Sequence, residues 1–148
     1  MRLIFGLFLI SRIVSAADAC AMIPSSAISG MLGTTKNKSL VLKGTPPATE
    51  GKVCQYVGKD NSATLIWIKF PTPAAAREHL RKTREGLEKQ SLATTPEKFD
   101  GDDGFSFSNG VLAVKRNIWL RVNVNSTTGK TFIPDLSRQF LLNALKVN

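Results

Sequence analysis

The sequence holds one histidine, one tyrosine and two cysteines, and only 11 acidic residues against 20 lysines and arginines. These scarcities exclude more than they suggest. A zinc site would have to draw on His79, Cys20 and Cys54, with none of the close-pair spacing such sites use. A Ser-His-Asp or Cys-His hydrolase would have to use His79, which sits beside the apolar stripe of a charged segment and reads as a surface or rim histidine. Nothing singles out one carboxylate pair for glycosidase-like chemistry. No apolar run approaches the roughly 20 residues of a membrane-spanning helix.

What is present begins with an export pattern. Met1-Arg2 is followed by the apolar run Leu3–Ile10, and Val14-Ser15-Ala16 offers small residues for cleavage. A signal peptide over 1–16 is expected, leaving 17–148 as one domain. Loss of Arg2 and Arg12 with the leader lowers the net charge from +9 to +7. The domain is therefore expected in the periplasm or outside the cell. In an oxidising compartment Cys20 and Cys54 favour a disulfide. Free buried thiols and lipidation of Cys20 are the alternatives, the latter in a poor context at Ala17-Asp18-Ala19.

The periodicity predicts a short helix over 23–33, with Pro24 in its first turn and Gly33 closing it. Strands follow at 38–43, 53–57 and 63–70. The last is apolar on both faces and is expected to be central. Thr72-Pro73 is an N-cap with proline at the first helical position, opening a helix to about Gln90. Ser91 to Phe99 reads as a connector. Asn109-Gly110 is a strong hairpin signal between Phe105–Ser108 and Val111–Arg116. Asn117 then turns the chain into Ile118–Val124, where Trp119, Arg121 and Asn123 face away from the apolar set. Pro134 starts a final helix. The order α-β-β-β-α-β-β-β-α implies an α+β fold, an antiparallel sheet packed on two or three helices.

Two motifs fail on spacing, and a third depends on the host. Thr127-Thr128-Gly129-Lys130-Thr131 lacks the first glycine of a phosphate loop and opens no helix directly. Asp100-Gly101-Asp102-Asp103-Gly104 misses the ligand positions of an EF-hand and reads as an acidic turn. Asn37 and Asn125 match the glycosylation pattern, which matters only in a eukaryotic host.

The basic residues give the candidate binding surface. Arg77, Arg81 and Arg84 recur along one helix face with Glu88 ending the row, and Glu78–Lys82 and Glu85–Lys89 are expected i,i+4 pairs. Lys115, Arg116 and Arg121 form a second basic area around Trp119, expected to be an exposed aromatic anchor. An anionic polymer or an acidic protein is the expected partner. Nucleic acid, cofactors and metals are not expected. A small hydrolase using acids near Asp100–Asp103, or an inhibitor of a partner protein, is the other reading.

The pattern Cys20-Ala-Met-Ile-Pro24, Met31-Leu32-Gly33, Cys54-Gln-Tyr56 and Phe99-Asp-Gly-Asp-Asp-Gly104 resembles a group of small exported bacterial proteins of unknown function. That group is similar to the PsbP-like fold. The resemblance implies an antiparallel sheet with helices on its faces, a Cys20–Cys54 disulfide and an exported location. It carries no catalytic residue. Phe105 stands where the group commonly has alanine.

Overall fold

The computed structural model describes residues 19–33, 36–42, 47–100 and 102–147. The expected leader, 1–16, and part of the 44–51 loop lie outside them. A short 3-10 turn, Ala19–Met22, precedes α1 (Ser25–Leu32). Three strands follow: β1 (Lys36–Leu42), β2 (Glu50–Val57) and β3 (Asn61–Lys69). Then come α2 (Pro73–Lys89), β4 (Thr95–Phe99), β5 (Asp102–Phe107), β6 (Gly110–Lys115), β7 (Ile118–Ser126) and α3 (Pro134–Lys146).

All seven strands form one antiparallel sheet in the order β1-β2-β3-β7-β6-β5-β4. Two meanders, β1–β3 and β4–β7, are thus zipped together along β3 and β7. The α+β fold and the antiparallel sheet are as the sequence implies. One strand is additional: Thr95–Phe99, read as a connector, pairs with β5 as an edge strand. Pro96 and its polar neighbours hide the strand pattern, and an edge position tolerates the missing N–H of proline.

Two cores lie on opposite faces of the sheet. One holds Leu65, Trp67, Ala113, Leu120 and Val122 beneath α1 and α3, with Phe140, Leu141 and Ala144 from α3. The other holds Phe105, Leu112, Val114 and Trp119 beneath Ala76, Leu80 and Leu87 of α2. Strand β6 and the Ile118–Leu120 start of β7 are covered on both sides, which explains why their side chains are apolar on both faces, whereas the rest of β7 alternates. β3 lies inside the sheet, with Ala63, Leu65 and Trp67 buried and Ile66 and Ile68 half-buried.

Local chemistry sets the element ends. Thr72 accepts a hydrogen bond from the Ala75 N–H and caps α2, with Pro73 behind it. Gly33, at φ 79°, closes α1. The β5–β6 turn falls one residue earlier than Asn109-Gly110. Ser108 and Asn109 form it, and Gly110 pairs with Phe107 inside the ladder. The next turn is Arg116-Asn117, with Arg116 at φ 54°. Asn117 exchanges bonds with Phe70 at the end of β3: its backbone oxygen accepts from the Phe70 N–H at 2.8 Å, and its side-chain Nδ2 donates to the Phe70 oxygen at 2.9 Å.

Cys20 and Cys54 form a disulfide, with Cα atoms 5.1 Å apart. Free thiols and a lipidated Cys20 are thereby replaced by a bond from the 3-10 turn to β2. The Tyr56 hydroxyl donates to the Cys20 carbonyl at 3.0 Å, and its ring meets Phe140 edge-on at 5.2 Å. Residues 54 and 56 share one strand face, so both hold the same short segment against the sheet.

Candidate functional site

The α2 arginines and the hairpin basic residues have different fates. The helix puts Arg77, Arg81 and Arg84 on one side, as their spacing requires. That side faces the β4–β5 edge of the sheet across a groove of about 400 Å³. Leu80, Pro96 and Phe105 provide apolar lining, and Lys98, Glu97 and Asp103 stand on the strand side.

The charges in this groove are not equivalent. Arg81 is clamped by Glu78, at 2.5 and 2.8 Å, and also by Glu85. The two carboxylates hold the Arg81 proton more tightly than usual, and Arg81 in turn keeps the Glu78 carboxyl below its ordinary range. Arg84 donates to Glu88 at 2.9 Å and to the Thr94 hydroxyl at 2.9 Å. Hydrogen bonds from Thr94 and Arg84 likewise hold the Glu88 carboxyl low. Glu85 thus pairs with Arg81 rather than with Lys89, while the expected Glu78–Lys82 pair forms at 3.7 Å. Lys98 is paired with Asp103. Arg77 makes no ion pair among the described residues and is exposed.

No family model matches the chain. No curated protein and no solved structure matches it either.

The hairpin surface does not assemble as the alternation suggests. Trp119 is 5% exposed and lies in the α2 core, so it is no exposed anchor. Its ring meets His79 edge-on at 5.2 Å, and His79 in turn packs on Phe70 at 4.9 Å. His79 is therefore half-buried in an aromatic cluster rather than a rim residue. Burial, and then the nearby Lys82 charge, lower its proton affinity. The alternating pattern places Trp119 opposite Ile118 and Leu120 correctly. It carries no information that α2 covers that second face as well.

Lys115 points to the α3 side, where its Nζ donates to the Leu145 carbonyl at 2.6 Å and ties down the helix C-terminus. Arg116 stays exposed in the turn. Arg121 lies on the α2 side of the sheet, its guanidinium 5.1 Å from the Phe107 ring centre. The three do not converge. Among the described residues no three His, Cys, Asp or Glu side chains form a metal cluster, and Asp103 of the acidic turn is paired with Lys98.

Two features of the site escape the sequence. Lys98 and Pro96 join the arginine row only because β4 is a strand. A second groove, of about 490 Å³, opens between the β4 and β5 ends and α3, lined in part by Ser91, Thr95, Phe107, Phe132 and Arg138. Arg138 there is occupied by Glu97, at 2.6 and 2.8 Å, and by Asp135 at 3.0 Å.

Proposed function

We propose that this chain is an exported, non-enzymatic binding domain of PsbP-like architecture that takes a linear polyanion in the groove between α2 and the β4–β5 edge. The observation that carries the reading is the convergence of Arg77, Arg81, Arg84 and Lys98 on one groove with an apolar lining. From residue 77 to residue 84 the helix rises about 10 Å, so the row suits an extended ligand better than a single small anion. Arg77 is the cation of the row that has no ion pair among the described residues. The paired arginines are held in place by their glutamates, which neutralise them locally, so a polyanion would engage Arg77 first and the others by displacing a glutamate. The strongly basic balance, with a sequence pI near 10.0, favours the same class of partner.

The non-enzymatic part of the reading is supported by the fate of the reactive residues. Both cysteines are joined in the disulfide, and the His79 ring is packed between Phe70 and Trp119. Export is supported by the leader pattern and by a disulfide of the kind oxidising compartments maintain. No helix among the described residues is long and apolar enough to cross a membrane.

The test is a titration of the protein with long-chain polyphosphate across a range of salt concentrations. Binding that weakens steeply with salt, and at least ten-fold in an Arg77→Glu/Lys98→Glu variant of unchanged melting temperature, is the expected result. Equal affinity of that variant and the parent would overturn the groove as the site.

A further inference from the structure

The two faces of the sheet are not equally covered. On one, α1, α3 and the 3-10 turn pack over the strands. On the other, α2 packs on β6 and β7 and is the only described helix in that core. Among the described residues no helix packs on the β2–β3 side of this second face. Its side chains stand in three cross-strand rows: Val53–Ile66–Arg121, Gln55–Thr64–Asn123 and Val57–Ser62–Asn125. Gln55 is exposed, Val57 is 55% exposed, and the remaining seven are half-buried.

Arg121 is the unusual member. Its Nε is buried without a hydrogen-bond partner, and it makes no ion pair among the described residues. Its guanidinium lies over Phe107, a contact that Gly110 makes possible. A Cβ at Gly110 would stand 3.1 Å from the Phe107 ring and 3.4 Å from Arg121 Nε. Burial weakens the hold on its proton, though an arginine stays charged. A half-buried guanidinium with no carboxylate among its described neighbours gains most from one that meets the outer edge of its planar fork. No Asp or Glu stands in the three rows, and the exposed Lys36 is paired in register with Val57 at their margin.

We infer that this part of the face is a second interaction surface, separate from the α2 groove, that docks an acidic protein segment. A carboxylate of the segment pairs with Arg121, its aliphatic side chains lie on Val53, Val57 and Ile66, and Gln55, Thr64 and Asn123 bond its polar groups. The charge of the face selects this occupant. A second copy of the chain would bring Arg121 and Lys36 against like charges. A sugar polymer would find no exposed aromatic platform, because Phe107 lies buried under the guanidinium.

The test uses the full chain, isotope-labelled, and a short peptide of alternating valine and glutamate. Amide shifts are expected at Val57, Thr64 and Asn123, with a shift of the Arg121 side-chain Nε–H. Arg121→Gln is expected to weaken the peptide at least ten-fold, and Val57→Glu, at an exposed position that leaves the fold intact, to do the same by repulsion. Arg77→Glu leaves peptide affinity unchanged, which separates this surface from the groove. Shifts confined to Arg77, Leu80 and Phe105 would overturn the inference. So would an absence of peptide binding, or preference for polygalacturonate over the peptide with the same variants.

Discussion

Trp119 shows how one side chain can reverse its meaning between sequence and structure. On an alternating strand beside Lys115, Arg116 and Arg121 it reads as a recognition residue. In the fold it is 5% exposed, with its indole N–H buried and without a hydrogen-bond partner among the described residues. Trp119→Ala is therefore expected to act on stability, costing about 3–5 kcal/mol as large-to-small core changes do. A denaturant titration reads this directly; a loss under 1 kcal/mol would show that α2 does not seal the residue. The neighbouring His79 gives the same cluster a pH dependence. Its folded proton affinity lies below that of the unfolded chain because burial disfavours the charged ring. The neutral ring's contribution is complete above about pH 6.5, the ordinary histidine value, and is lost as pH falls through the lower folded value. Melting temperature should drop on acidification through this window, and His79→Gln should flatten that step. An identical pH profile for parent and variant would remove His79 from the account.

At the scale of elements, legibility follows from where each element keeps its information. Helix α2 is readable almost residue by residue, because Thr72 caps it, Pro73 fixes its first turn and its stripe faces one core. The β5–β6–β7 meander is readable because its turns and its alternation agree. The hairpin turn is displaced by one residue, since the glycine serves packing around Arg121 and Phe107 rather than the turn itself. Strand β4 leaves no pattern of its own. Its place is set by the partner strand, by buried Phe99, and by Glu97, which binds Arg138 of α3 and accepts from the Ser106 hydroxyl at 2.5 Å. The Lys98 part of the candidate groove was hidden for the same reason, whereas the arginine row was visible in the helix period. The Glu97–Arg138 pair therefore anchors the edge strand to a helix. Its Arg138 hydrogen bond keeps the Glu97 carboxyl below its ordinary value of 4.5. The stabilisation is present above that value and lost as pH falls through the lower folded one. Arg138→Met should cost about 1–3 kcal/mol by leaving a half-buried carboxylate without its partner, and should remove that acid-sensitive step. Hydrogen exchange in the variant should rise first at β4; uniform exchange across the sheet would contradict the anchoring role.

At the scale of the molecule, the disulfide joins the two ends of a 34-residue separation, from the 3-10 turn to a strand next to the sheet's β1 edge. Both sulfurs enter the same core as Tyr56 and Phe140. The first segment is short: α1 has eight residues, fewer than an isolated helix needs to hold its shape in water. Its order must come from attachment, through the bond, through the Tyr56 hydrogen bond and through burial of Ile23, Ile28 and Leu32. Chain-entropy reasoning assigns a loop of this length about 3–4 kcal/mol. Reduction, or a Cys20→Ser/Cys54→Ser variant, should lower stability by that amount and raise exchange in α1 and the 3-10 turn. The two meanders zipped along β3 and β7 should stay protected, because their core does not depend on the bond. The same bond ties structure to location. Protein recovered from an oxidising compartment should expose no reactive thiol even when unfolded without reductant, whereas two reactive thiols per chain would separate this domain from the exported setting proposed for it.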